Sequence, residues 1–450
     1  MEDRSAEWVG FGQNAIGCGR VGKVVDLTSR RKGHPSRVDV CVVGLGATGL
    51  PLAVALAQAG LSILGVDADP ARVAAVGGGR HHHVDRMLSA SLKAAAVGGR
   101  LSTATDPGAA HVFIVTSPIG FDPKGPLSAD FGALSHDLEQ LAPLLIGDEL
   151  IILETSGPLG MTLAAAALLA QFRNDLSLEE SGGIDLAYVG ERPRPGHSYE
   201  EVGGARAVGG LSRKASKRAA EFYRSRLGAE VHETDHRTAE MVKLVENAYR
   251  DLNIAFANEL SMVCDDLDIS VLDVIAIANH HPRVEILRPG PGVGGHSIAL
   301  DPKFLAAACP DRVKLVAMAR SVNEAKPAWS IQTIVEAVAA SGASKIACLG
   351  LTSKPGTDQF DESPAIEIAR ALTGQFPGRV VCADPYQDLI RADVELELCD
   401  VASAMATADL VVFLVSHEQF RSFRPGSGQT VIDLCGATEL SSVQTLIIPN

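Results

Sequence analysis

The chain lacks any close pair of cysteines. Its eight cysteines, at 18, 41, 264, 309, 348, 382, 399 and 435, never form a Cys-x-x-Cys pair, which removes the spacing that marks a zinc site or a redox dithiol. Most sit in apolar runs such as Val40-Cys41-Val42-Val43, where cysteine acts as a small buried hydrophobe. No apolar run reaches the ~18 residues of a membrane span, and no secretory signal is present, so the chain reads as cytoplasmic with no membrane partner. A basic surplus is missing too: Lys plus Arg is 40 against 54 for Asp plus Glu, a net charge of −14, which argues against nucleic acid as a partner. The His81-His82-His83 run reads as a solvated loop rather than a metal site, and no metal is expected.

What is present is the balance of a globular protein, 46% hydrophobic and 21% charged, with 450 residues, enough for two or three domains. Residues 1–37 carry no periodicity and read as a flexible leader. From Val38 onward, short β-branched runs alternate with Ala-rich helical stretches: strands at 40–43, 62–66, 111–116, 149–154 and 185–189. That alternation predicts an α/β fold with a mostly parallel sheet and helices on both faces. Residues from about 235 to 279 instead show helical apolar spacing and no strand signal, predicting one long helix or two in series. A second α/β unit opens at 345–350 and continues with a helix from Pro364 and strands at 379–383 and 410–415. The expected architecture is two Rossmann-like, doubly wound domains, 38–232 and 343–450, joined by a central helical segment, 233–335.

The motif with the clearest chemistry is Gly44-x-Gly46-x-x-Gly49, after a strand and before a helix. The first glycine permits a tight turn, the second lets backbone approach a pyrophosphate, and the third allows close packing of the helix whose N-terminus attracts the anion. Asp67 stands 18 residues beyond Gly49 at the end of the next strand. A carboxylate there binds ribose hydroxyls and repels a 2′-phosphate, which points to NAD as the cofactor.

Leu45-Gly46-x-x-Gly49-Leu50-Pro51-Leu52-Ala53 resembles the opening of the UDP-glucose/GDP-mannose dehydrogenase family. The likeness continues in order through Val115-Thr116-Ser117-Pro118, Glu154-Thr155-Ser156-Gly157-Pro158-Leu159-Gly160 and Glu191-Arg192-Pro193-Arg194-Pro195-Gly196. It runs on through Lys243-Leu244-Val245-Glu246-Asn247-Ala248-Tyr249-Arg250-Asp251 and His281-Pro282-Arg283-Val284. Pro289 to His296 is similar to the UDP-N-acetylmannosamine dehydrogenase branch. Such enzymes oxidise a sugar alcohol to a carboxylate with two NAD, through a cysteine-bound thiohemiacetal and thioester. The resemblance implies that Lys243 stabilises the developing alkoxide, that Asn247 orients the sugar and that Asp301 positions water or accepts a proton. Glu191 then assists hydrolysis, and Ser156 supplies a hydroxyl beside the reacting carbon. Arg72, Thr116 and Ser117 fall on the cofactor side. Arg192, Arg283, Gly294, Gly295, Lys354 and Asp361 fall on the substrate side. It also implies a homodimer through the central helices, with Arg283 reaching the partner's site.

Two departures alter the expected chemistry. The family's Gly-Gly-His-Cys is here Gly294-Gly295-His296-Ser297. A thiol with a reference pKa near 8.5 ionises readily, whereas a serine hydroxyl needs an adjacent base to attack. The covalent half of the reaction is therefore expected to be lost, leaving a two-electron oxidation of a nucleotide-linked sugar. The alternatives are an NAD-binding homologue without turnover, or a four-electron dehydrogenase working without the thiol. Second, Asp361 stands where the family places a phosphate-contacting arginine before Glu-Ser-Pro, which leaves Lys354 and Arg283 to hold the pyrophosphate or indicates a different substrate.

Overall fold

The structure is a computed structural model that describes residues 37–81, 85–176, 183–192, 198–390, 394–438 and 446–447. Apart from Arg37, the leader lies outside the described residues, as do His82, His83 and Pro193 to Gly196. The chain divides into two compact units, Met1–Val245 and Glu246–Asn450.

The first unit is built on an eight-stranded sheet. Its strands are β1 (Val38–Val43), β2 (Ile63–Val66), β3 (Leu101–Ala104), β4 (Ala110–Val115), β5 (Leu150–Leu153), β6 (Asp185–Val189), β7 (Arg206–Gly210) and β8 (Val231–Asp235). The spatial order is β8-β7-β6-β5-β4-β1-β2-β3. All pairings are parallel except β6 with β7. Central strands read as unbroken apolar runs because helices cover both faces: Val40 to Val42, Phe113, Ile114 and Ile151 to Leu153 have no exposed surface. In register, Val40 sits between Ile63 and Val112.

Sequence pattern alone misses β3, β7 and β8. Strand β7, Arg-Ala-Val-Gly-Gly, ends in glycines, and β8, Val-His-Glu-Thr-Asp, is an edge strand with largely exposed side chains. Edge strands lack the apolar alternation that reveals a strand. The helices of this unit are α1 (Gly49–Gln58), α2 (Pro70–Gly77), α3 (Arg86–Val97), α4 (Gly132–Leu141), α5 (Met161–Phe172), α6 (Ser198–Glu201) and α7 (Arg213–Leu227).

The central helical reading resolves as two helices in series, α8 (His236–Asp266) and α9 (Val271–Ala278). They part where Asp268 takes φ +54, and Ser270 Oγ then caps α9 by accepting from Asp273 N. Helices α10 (His296–Ala308) and α11 (Leu315–Ser341) follow. The second sheet has β9 (Ile346–Leu349), β10 (Val380–Ala383), β11 (Leu410–Phe413), β12 (Thr430–Asp433) and β13 (Leu446–Ile447), ordered β10-β9-β11-β12-β13, with α12 (Pro364–Gln375) and α13 (Val401–Thr407). The first four strands are parallel and β13 is antiparallel. In each sheet the strand order reverses about the first strand, β1 or β9, and the crevice beyond the strand ends at such a reversal is where open α/β sheets bind ligands.

Candidate active site

The loop leaving β1 carries the three glycines. Gly44 has φ +96, and a Cβ on Gly49 would stand 1.9 Å from Gly44 O, so backbone packing dictates both residues. A Cβ on Gly46 would meet nothing within 4 Å. The space above Gly46 is thus open where a dinucleotide's pyrophosphate would approach the N-terminus of α1. Thr116, just past β4, donates from Oγ1 to the carbonyls of Val43 and Gly44 and closes the base of this turn.

Asp67, at the end of β2, is largely buried. Its Oδ2 accepts from Leu45 N and from Arg72 Nη1, both at 2.9 Å, and its Oδ1 accepts from Asp69 N at 3.0 Å. Burial pushes this carboxyl up, but the amides of Asp69 and Leu45 together with Arg72 outweigh it, and the group stays below its usual range. Oδ1 keeps acceptor capacity for a hydroxyl. The set fits a dinucleotide, with Arg72 acting through Asp67. Ser117 hydrogen-bonds Asp137, whose carboxyl is raised by burial.

Lys243 lies on α8, whose start is fixed twice. Asp235 accepts from the amides of Arg237 and Thr238, and one turn before Lys243 the buried Glu240 accepts from Gly160 N, Thr162 N and Thr162 Oγ1 at 2.6–2.8 Å, capping α5. So anchored, Lys243 donates from Nζ to Glu191 O at 2.7 Å and lies 4.0 Å from Glu191 Oε1. A Cβ on Gly190 would press within 3.2 Å of Lys243 Cβ. Glu191 also accepts from Thr48 Oγ1, inside the glycine turn. Ser156 is buried just beyond β5, next but one to Glu154. Burial raises the Glu154 carboxyl despite Arg206 and the Tyr223 hydroxyl, and the charge of Glu191 adds to the rise. Arg192 points elsewhere, donating to Ala205 O at 2.7 Å.

In the second unit, the Gly/Pro loop before α10 is tied to α8 by Gly290 N, which donates to Asn258 Oδ1 at 2.8 Å. Two of its glycines, Gly292 and Gly294, have no room for a side chain, and Gly295 holds a left-handed backbone. A Cβ on Gly292 would meet Pro364 and Pro327, one on Gly294 would stand 2.3 Å from Glu362 O, and one on Gly295 (φ +93) would face Ser353 and Lys354 Nζ. Gly294, Gly295 and Lys354 are thereby brought together. Ser297 occupies the first turn of α10 and Asp301 the next, on one helical face. Fully buried Asp301 accepts from Asn247 Nδ2 at 2.6 Å. Arg283 is exposed on a loop held by Asn279, which bonds both the amide and the carbonyl of Ile286.

Asp361 lines a cavity of about 650 Å³ beside Arg320, Glu324, Ser363 and Arg370. Of the two guanidinium groups in this lining, that of Arg320 is engaged by Asp251 at 2.8 Å.

The second sheet repeats the first with one change. Asp384, past β10, accepts from Leu351 N at 2.6 Å as Asp67 does from Leu45, and Gly350 (φ +87) matches Gly44. Here Asp384 is also taken by Tyr386 N and by His417 Nε2 at 3.2 Å. His417, fully buried, accepts from Gly356 N through Nδ1, so Nε2 carries the proton. On Asp384 the buried His417 thus takes the place that Arg72 takes on Asp67.

Sequence comparison matches residues 38–227 to the UDP-glucose/GDP-mannose dehydrogenase family's NAD binding domain, 237–325 to its central domain and 347–439 to its UDP binding domain. The chain belongs to the UDP-glucose/GDP-mannose dehydrogenase family. It is 40% identical to a UDP-N-acetyl-D-mannosamine dehydrogenase of Yersinia pestis over 401 residues, covering 86% of this chain and 95% of that one. It is also 40% identical to an NDP-N-acetyl-D-galactosaminuronic acid dehydrogenase of Ralstonia solanacearum, covering 85% and 91%. Among solved structures, the UDP-N-acetyl-mannosamine dehydrogenase of Staphylococcus aureus superposes with a TM-score of 0.78 at 32% identity, covering 92% and 98%. The UDP-D-ManNAc dehydrogenase of Pyrococcus horikoshii gives 0.79 at 28%, covering 91% and 98%.

Family likeness in sequence did not single out Thr48, Glu240, Asn258 or His417. Thr48 lies between the glycines of the motif at a position the motif leaves unspecified, and the other three are buried polar residues in helices or loops whose partners are distant in sequence. A polar residue within an apolar stretch was the available signal.

Proposed function

We propose that this family member is an NAD-dependent oxidoreductase that removes two electrons from a carbinol of a nucleotide-linked sugar, with UDP-N-acetylamino sugars, named for its relatives, as the first substrates to test. The cofactor supplies a hydride acceptor. Gly44, Gly46, Gly49, Asp67 and Thr116 would hold it. The alcohol loses hydride from carbon and a proton from oxygen, leaving a carbonyl. Lys243, its ammonium aimed by the Glu191 carbonyl, stabilises the oxygen as it becomes an alkoxide. Asp301 is the proton acceptor and Asn247 fixes its orientation.

The observation that carries the two-electron reading is Ser297 in the first turn of α10. No sulfur substitutes for it from the same helix: Cys309 directly follows α10, about 18 Å away along the helical rise. Cys41, Cys264, Cys348, Cys382 and Cys435 are buried, and burial pushes the Cys41 thiol up to about 12. Without a thiolate, a thioester cannot form, and the reaction stops at the carbonyl. The test is a count of NADH formed per nucleotide sugar consumed, with identification of the product. One NADH and a carbonyl are expected, and two NADH with a carboxylate would refute the reading.

A homodimer is part of this proposal. Helix α8 exposes Tyr249, Phe256 and Val263 at seven-residue spacing, an apolar stripe suited to a second copy. Exposed Arg283 would then serve the partner's substrate. No helix among the described residues is long and apolar enough to cross a membrane. The unpaired, buried cysteines support a reducing, cytoplasmic setting.

A further inference from the structure

The hydroxyl before α1 does not cap its own helix, a trait shared with Ser363 before α12. Asp69, Asp85, Ser212, Ser270 and Asp400 each accept a backbone amide from the first turn of the helix they precede. Thr48 holds the same position before α1 but makes no such bond. The cause is local. An N-cap side chain serves the second or third amide of its helix. Here the second, Leu50 N, already donates to Gly46 O at 3.1 Å, and the third residue is Pro51, which has no N–H. Released from capping, the Thr48 hydroxyl donates to Glu191 Oε2. The other oxygen of Glu191 faces Lys243 Nζ at 4.0 Å, and its main-chain carbonyl takes that ammonium at 2.7 Å.

We propose that Thr48 is a positioning residue: its hydroxyl locks the Glu191 carboxylate between the glycine turn and Lys243, so the loop that receives the cofactor also sets the direction of the Lys243 ammonium. This rests on the reading of Lys243 as the alkoxide-stabilising group. Without that hydroxyl, the Glu191 carboxylate would rotate towards Lys243, draw the ammonium into a closer ion pair and take it from the substrate oxygen. The contact lies within one unit and needs only a residue with a γ-hydroxyl at 48.

Thr48→Val keeps the shape and removes the hydroxyl, while Thr48→Ser keeps the hydroxyl. With a UDP-N-acetylamino sugar as substrate, Thr48→Val should lower kcat about ten-fold, the size of one hydrogen bond to a charged group, with the NAD dissociation constant from calorimetry unchanged within about two-fold. Thr48→Ser should recover most of the loss. The proposal is overturned by a Thr48→Val enzyme with wild-type kcat, by Thr48→Ser as impaired as Thr48→Val, or by a fall in NAD affinity that accounts for the whole effect. If the wild type itself produces no NADH, the functional reading fails instead, and the contact is read without turnover. Melting temperatures of Thr48→Val, Glu191→Gln and the double variant should then be non-additive, and additivity would refute the lock.

Discussion

Asn247 and Asp301, 54 residues apart in sequence, meet through a hydrogen bond of 2.6 Å from Nδ2 to Oδ2. The bond joins α8 to α10 and places a buried carboxylate one helical turn after Ser297. An amide donating at this distance fixes the orientation of the Asp301 carboxyl group. Asp301→Asn removes the proposed proton acceptor while preserving shape. Turnover should fall by about 10²–10⁴-fold, the range for loss of a general base, with NAD binding retained. Steady-state NADH formation and calorimetry on the same preparation check both halves of that expectation.

Ser297→Cys restores sulfur to the first turn of α10. A thiol near a helix N-terminus ionises more readily than in free solution, so it can capture the carbonyl product. The ratio of NADH to nucleotide sugar should rise from one towards two, with a carboxylate product. A ratio that stays at one, with the introduced thiol still open to alkylation, would show that more than the nucleophile has been lost.

Gly49→Ala should abolish NAD binding and lower the melting temperature. The new Cβ would stand 1.9 Å from Gly44 O and 2.7 Å from Thr116 Oγ1, so the turn must open. Backbone cannot yield as a flexible side chain can. Gly46→Ala separates the two effects: its Cβ meets no protein atom within 4 Å, so stability should be kept while cofactor affinity drops. Thermal unfolding with and without NAD reads both.

The parts of this architecture that were legible in sequence share one physical cause. The buried stretches of central strands β1, β4 and β5 are unbroken apolar runs, and the glycine turn must be glycine, so composition and spacing reveal them. Strand β8 escapes because an edge strand tolerates His, Glu and Thr on exposed faces. The candidate site was legible as motifs but not as contacts. Nothing in Lys243 or Glu191 alone tells that the lysine's partner is a main-chain carbonyl, and nothing in Asp384 tells that His417 bonds it. Those facts depend on which loop ends the topology brings together.

Phe256→Glu should convert a dimer to a monomer. Phe256 is 53% exposed midway along α8, between Tyr249 and Val263, and a carboxylate there would have to be desolvated to be covered by a second copy. Light scattering coupled to gel filtration measures the mass directly. An unchanged oligomer would show that this stripe is not the interface.

Lys326 offers a prediction about pH. Its side chain is 1% exposed, donates to Ser261 Oγ at 2.8 Å and lies over the Trp329 ring, with Asp265 the acidic group acting on it. Burial outweighs Asp265 and lowers its pKa from 10.5 to about 7. Between those two values the unfolded chain holds a proton that the folded chain has released, so stability rises with pH from 7 upward. Below 7 the cost of burying the ammonium is present in full, on the order of a few kcal/mol. At higher pH the thiols of Cys41, Cys348 and Cys435, raised by burial or by neighbouring groups, work the other way, because only their unfolded forms ionise. Lys326→Met removes the amine and leaves the thiols, so the difference between variant and wild type isolates the lysine. The variant should melt well above the wild type at pH 6, and the gap should narrow by pH 9. A gap that stays constant across that range would mean that Lys326 keeps its proton in the folded protein.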